Sequence, residues 1–68
     1  MKEIDVRGYS CPEPVIRTMN AVKEGNAELE ILVDTNVSKE NVSRYLKENG
    51  YNVDVKETGD YYTIIGKK

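Results

Sequence analysis

The chain contains a single cysteine, and it stands in the stretch Gly8-Tyr9-Ser10-Cys11-Pro12-Glu13-Pro14. With no histidine anywhere in the sequence, a Cys–His hydrolytic pair is excluded. With no second cysteine, the internal dithiol–disulfide reaction is excluded as well. What one unassisted thiol can do is exchange. It can attack a persulfide on another protein, hold the outer sulfur as Cys11–S–SH, and offer that sulfur to a further thiol. Such a reaction needs docking more than catalysis. The thiolate and imidazole ligands of a structural zinc site are also missing, so no metal is expected, and no cofactor pocket is indicated.

The elements that flank this stretch follow from hydrophobic period. Ile4 and Val6 alternate with polar residues over residues 2–7, and Leu29, Ile31 and Val33 do so over residues 28–34, the pattern of strands buried on one face. Between them Val15, Ile16, Met19 and Val22 recur at three- and four-residue steps. Pro12 suits the first helical position and Gly25 the residue past the end, so a helix of about twelve residues, near the mean for globular proteins, is predicted. A second helix is predicted with Ser38 as N-cap and Val37 set against Val42 as a hydrophobic staple. Val42, Tyr45 and Leu46 form its apolar stripe and Gly50 its end. Tyr51, Val53 and Val55 alternate next, Thr58-Gly59-Asp60 marks a turn, and residues 61–65 read as a last strand.

The order is therefore βαβαββ. One-faced strands and one-striped helices predict an α+β two-layer sandwich, with a single sheet covered on one face by two helices. The opposite face, with Glu30, Asp54 and Lys56, should meet water or a partner. The first two strands should run parallel, and the last two form a hairpin, which makes the sheet mixed.

In this layout Cys11 falls at the N-cap of the first helix. There the thiolate can accept hydrogen bonds from first-turn amides at the positive end of the helix dipole. Pro12 and Pro14 offer no N–H but fix φ at alternate positions, presenting the thiol from a rigid edge. Glu13 opposes thiolate formation, while Arg17, one turn on, can pair with Glu13, and Arg7 ends the preceding strand. A lone cysteine is commonly inert core. Cys11, however, lies outside every apolar stripe, among polar neighbours at a loop-to-helix boundary.

A chain of 68 residues reads as one domain, residues 1–68, able to bury only about 60% of its extended surface. Net charge is −2 with 32% charged residues of both signs, which is not the basic footprint of a nucleic-acid binder. The longest aliphatic run, Ile31-Leu32-Val33, is too short for a signal sequence or a membrane span, so a cytoplasmic protein is expected. In that compartment the Asn-x-Ser patterns at Asn36 and Asn41 read as loop and cap residues. The tyrosine at 45 reads as core, Tyr61 and Tyr62 as a strand pair with one facing inward, and Lys67-Lys68 as a solvated tail.

The pattern Asp5-x-x-Gly8-x-x-Cys11-Pro12-Glu13-Pro14, followed by an apolar helix and a βαββ remainder, resembles the TusA/SirA-like sulfur-carrier family over essentially the whole chain. Val33-Asp34-Thr35-Asn36, then Glu40-Asn41-Val42 and Gly50-Tyr51, is more similar to the YedF-type branch linked to selenium metabolism. The resemblance implies a mixed sheet ordered 1-2-4-3. It implies a sulfurtransferase-like carrier without independent turnover, with Cys11 as the persulfide cysteine, Pro12, Pro14 and Glu13 as the rest of the motif, and Asp5 and Gly8 as approach strand and turn. The implied partners are a cysteine desulfurase or other persulfide donor and a downstream sulfur-acceptor protein. Two positions depart from the TusA-type pattern: Tyr9 replaces a leucine, and Thr35-Asn36 replaces Asp-Pro. YedF-like proteins also usually continue into a second, DsrE-like domain. The competing reading is a regulatory or RNA-binding module of the same fold, against which the acidic balance argues. A third is an interaction domain in which the motif serves structure alone.

Overall fold

A computed structural model describes residues 2–9 and 13–68. The elements are β1 (Lys2–Asp5), α1 (Glu13–Lys23), β2 (Glu28–Val33), α2 (Asn36–Glu48), β3 (Asn52–Thr58) and β4 (Tyr61–Lys67). They form one four-stranded sheet in the order β1-β2-β4-β3. β1 runs parallel to β2, with Ile4 beside Ile31. β4 is antiparallel to both β2 and β3, so the sheet is mixed as expected.

Register assigns the two faces. Ile31 pairs with Ile64, Leu29 with Gly66 and Val33 with Tyr62, so these residues share the face that packs on the helices. Leu29, Ile31, Val33 and Ile64 are fully buried there, together with Val6, Val42 and Leu46. Each such aliphatic side chain contributes about 1.5–3 kcal/mol by leaving water. The other face carries Glu3, Asp5, Glu28, Glu30, Leu32, Asp54, Lys56, Thr63, Ile65 and Lys67 by the same register. Asp54 and Lys56 are exposed and Glu30 is half-buried. Tyr62 is the inward member of the tyrosine pair.

Several local expectations are corrected. In α1 the buried residues are Pro14, Thr18 and Ala21. Val15, Met19 and Val22 are half-buried, and Ile16 is 42% exposed. The row 14, 18, 21 is a single helix face, and at 3.6 residues per turn Ile16 lies opposite it. Thr18 is acceptable in the core because its hydroxyl donates to the Pro14 carbonyl at 2.8 Å, which leaves its methyl free to pack.

α2 starts three residues before the predicted start. Thr35 is its N-cap, in an extended conformation (φ −130°, ψ 152°), and its hydroxyl accepts from the Ser38 N–H at 3.1 Å. Ser38 is therefore inside the first turn and buried, and Val37 is 59% exposed rather than stapled to Val42. Tyr45, expected in the core, is half-buried and lines a shallow groove with Val15 from α1.

The C-terminal tail is tied down. β4 runs to Lys67, the Lys68 N–H donates to the Ala27 carbonyl at 2.9 Å, and the Lys68 ammonium lies 5.1 Å from the centre of the Tyr51 ring. At the end of α2, Gly50 takes φ +87°, a conformation other residues adopt at a cost. That lets the N–H groups of Gly50 and Tyr51 donate back to the carbonyls of Lys47 and Leu46, closing the helix end. Tyr51 is buried beside Leu46, and its hydroxyl donates to the Asn26 carbonyl.

Candidate functional site: the turn between β1 and α1

Because β1 and β2 are parallel neighbours, α1 and α2 both begin at the same end of the sheet, beyond the strands' C-terminal ends. The positive ends of both helix dipoles therefore face that end. The chain leaves β1 through a tight turn. The Val6 N–H still bonds the Leu32 carbonyl at 2.9 Å, and the Tyr9 N–H returns to the Val6 carbonyl at 3.3 Å. Gly8 occupies the third position of this turn at φ +85°, the position that favours glycine in type II turns.

Two side chains fix the turn from outside. The Gly8 N–H donates to Asp34 Oδ2 at 2.8 Å, a bond spanning 26 residues. Arg7 folds back on Asp5: its backbone N–H and Nε donate to Oδ1 at 3.1 and 2.9 Å, and Nη2 donates to Oδ2 at 2.8 Å. The guanidinium also lies 4.8 Å from the centre of the Tyr61 ring on β4. The Arg7 side-chain hydrogen bonds, then its backbone N–H, lower the Asp5 pKa to about 2. The same hydrogen bonds raise that of Arg7.

On the helix side, Glu13 opens α1 and Pro14 is fully buried beneath it. Arg17 Nε lies 3.5 Å from Glu13 Oε2, and the Arg17 guanidinium stacks 4.3 Å from the centre of the Tyr9 ring. One cation thus touches a residue on each side of the segment 10–12. Cys11 and Pro12, expected at the N-cap and first helical position, lie outside the described residues, as does Ser10. Of the other expected site residues, Asp5, Gly8 and Glu13 cluster around the turn. Pro14 serves the core below it.

Beside the turn lies an open groove of about 770 Å³ lined by Asp5, Arg7, Gly8, Asp34, Asp60 and Tyr61, with the β3–β4 hairpin forming its far wall. Tyr9 and Val37 are exposed around the same end. Asp34 and Tyr61 were not singled out as site residues from the sequence. Each comes from a strand end far along the chain. The one available signal was a carboxylate directly after the strand parallel to β1, where neighbouring strand ends meet.

Together the fold and this turn define a two-layer βαβαββ architecture in which the residues flanking a single-cysteine segment are clamped. The sequence matches the family model for sulfurtransferase TusA over residues 2–68, and the chain belongs to that family. It is 41% identical over 71 residues to a protein of Methanocaldococcus jannaschii provisionally named a sulfur carrier, covering 100% of this chain and 95% of that one. It is 33% identical over 72 residues to a protein of Archaeoglobus fulgidus with the same provisional name, covering 100% and 97%. Among solved structures, the SirA-like protein of Desulfitobacterium hafniense superposes with a TM-score of 0.88 at 31% identity, covering 97% of this chain and 95% of that one.

Proposed function

We propose that this protein is a sulfur carrier that bears its cargo as a persulfide on Cys11. The thiolate attacks the outer sulfur of a donor persulfide. The S–S bond of the donor breaks, its thiolate leaves, and Cys11–S–SH forms; an acceptor thiolate then repeats the exchange and regenerates the Cys11 thiolate. The observation that carries this reading is the paired grip on the chain's one cysteine-bearing segment, by Asp34 on Gly8 before it and by Arg17 on Tyr9 and Glu13 around it. Flanking residues already fixed in this way lose little entropy on docking to a donor. Pairing of Glu13 with Arg17 also offsets a carboxylate two residues from Cys11 in sequence that would oppose the thiolate.

The donor in this reading is a cysteine desulfurase or a similar persulfide-bearing enzyme, the acceptor is another protein thiol, and the setting is the cytoplasm. The relatives' names support sulfur as the cargo; a selenium analogue would follow the same exchange. The RNA-binding alternative gains no support from the open sheet face, where Glu3, Asp5, Glu28, Glu30 and Asp54 outnumber Lys56 and Lys67. Backbone phosphates require the reverse balance.

Onward transfer tests the proposal. Protein charged with labelled sulfur, freed of donor by gel filtration and mixed with a reduced thiol protein should pass the label on and recover a free thiol. Label that stays with the chain through this chase, or is released only on unfolding, contradicts a carrier.

A further inference from the structure

We infer that Asp34 is a positioning residue for the Cys11 segment; the inference rests on the carrier reading above and adds to it the part that sets transfer geometry. Asp34 is the first residue after β2, the strand paired on both sides, with β1 and β4. Val33 before it is fully buried, and Thr35 after it is the N-cap of α2. Its main chain is therefore fixed from both directions. From this anchor its carboxylate reaches across to the turn after β1 and accepts the Gly8 N–H at 2.8 Å, a charge-assisted bond stronger than a neutral one.

Gly8 precedes Cys11 by three residues, so the hydrogen bond fixes the turn from which the chain runs on toward Cys11. The electrostatics agree with the geometry. The charge of Asp34 acts on Arg7, which is already held by Asp5 and stacked on Tyr61. Asp34 is thus part of one cluster that joins the ends of β1, β2 and β4 beneath the turn. A turn held only by its own 3.3 Å Tyr9–Val6 bond would leave Gly8 and Tyr9 freer to move. Group transfer is sensitive to such misplacement because the reacting atoms must be held in line.

The test uses the full chain with Asp34→Ala and Asp34→Asn. Asparagine keeps an acceptor oxygen at the same reach without the charge. Three readouts are compared at a temperature where all the proteins are folded: Gly8 amide hydrogen exchange, Cys11 alkylation by iodoacetamide, and sulfur uptake from a cysteine desulfurase supplied with labelled cysteine. Asp34→Ala should speed Gly8 exchange without altering the β2 amides. It should also lower the maximal uptake rate about tenfold, with little change in the donor concentration for half-maximal rate. Asp34→Asn should restore most of both. Wild-type exchange at Gly8 and wild-type uptake in Asp34→Ala, with only a lower melting temperature, would overturn the inference and leave Asp34 a stability contact. If the wild type itself takes up no sulfur, the carrier reading fails. Asp34 is then judged by Gly8 exchange and Cys11 alkylation, and the inference falls if neither changes in Asp34→Ala.

Discussion

Replacing Gly8 by alanine separates the stability of the fold from the geometry of the turn. Gly8 has φ +85°, and no heavy atom of the described residues lies within 4 Å of where a Cβ would sit. Among the described residues nothing crowds that position, so the cost is backbone strain, about 1–2 kcal/mol for an alanine in the left-handed region. A domain of this size has roughly 3–10 kcal/mol of stability in total, and each kcal/mol moves the midpoint by about 4–8 °C. Thermal melts should thus place Gly8→Ala about 4–16 °C below the wild type, with Gly8→Asn between them because asparagine tolerates this region better. Gly50→Ala is the matched control: it too has positive φ, +87°, and open space around the Cβ, but it closes α2 at the other end of the molecule. The two alanine variants should lose similar stability. At a temperature where both are folded, only Gly8→Ala should take up sulfur more slowly. A Gly8→Ala protein that melts with the wild type, or a Gly50→Ala protein equally slow in uptake, would refute the reasoning.

Gly66 tests the opposite limit, because a Cβ there would stand 3.1 Å from Leu46 Cδ1 and 3.3 Å from Tyr51 Cδ2. Gly66→Ala should cost about 1–3 kcal/mol by overpacking, read by chemical denaturation. Thr35→Ala removes the acceptor for the Ser38 N–H and should cost about 1 kcal/mol, with faster amide exchange confined to the first turn of α2. Asp5 is held at a pKa of about 2 against an ordinary 3.8. Its depressed value stabilises the fold above the ordinary value, and that contribution is lost as pH falls from about 4 to about 2. Asp5→Asn lacks it, so the stability gap between wild type and variant should be open at neutral pH and narrow across that window in acid-titrated melts.

The sheet was legible from the sequence because alternation at Leu29, Ile31 and Val33 reports burial directly, and the hairpin turn at Gly59-Asp60 falls between paired Thr58 and Tyr61. The face of α1 was misread because Thr18 and Ala21 add little to an apolar stripe. They are buried nevertheless, one by returning its hydroxyl to the helix and the other by being small, while the larger Ile16 points away. The start of α2 was shifted because Thr35 and Ser38 both carry cap-forming hydroxyls. Only the observed backbone, with Thr35 extended, decides between them. Around the site, Asp5, Gly8 and Glu13 were named through the motif that carries the family resemblance, and the Glu13–Arg17 pair was legible from its i,i+4 step. The Asp34 bond to Gly8, the Tyr61 face under Arg7 and the Tyr9–Arg17 stack join residues through the folded chain, and no local period encodes them.

The central claim rests on one atom, the Cys11 sulfur, and site-resolved mass measurement tests it most directly. The reduced protein is incubated with a cysteine desulfurase and labelled cysteine, then alkylated and digested, with Cys11→Ala in parallel. The account predicts a gain of one sulfur on the peptide bearing Cys11, reversed by added thiol and absent from the variant. A natively folded protein whose Cys11 resists alkylation, or one whose Cys11 alkylates readily yet gains no sulfur from any desulfurase tried, would contradict it.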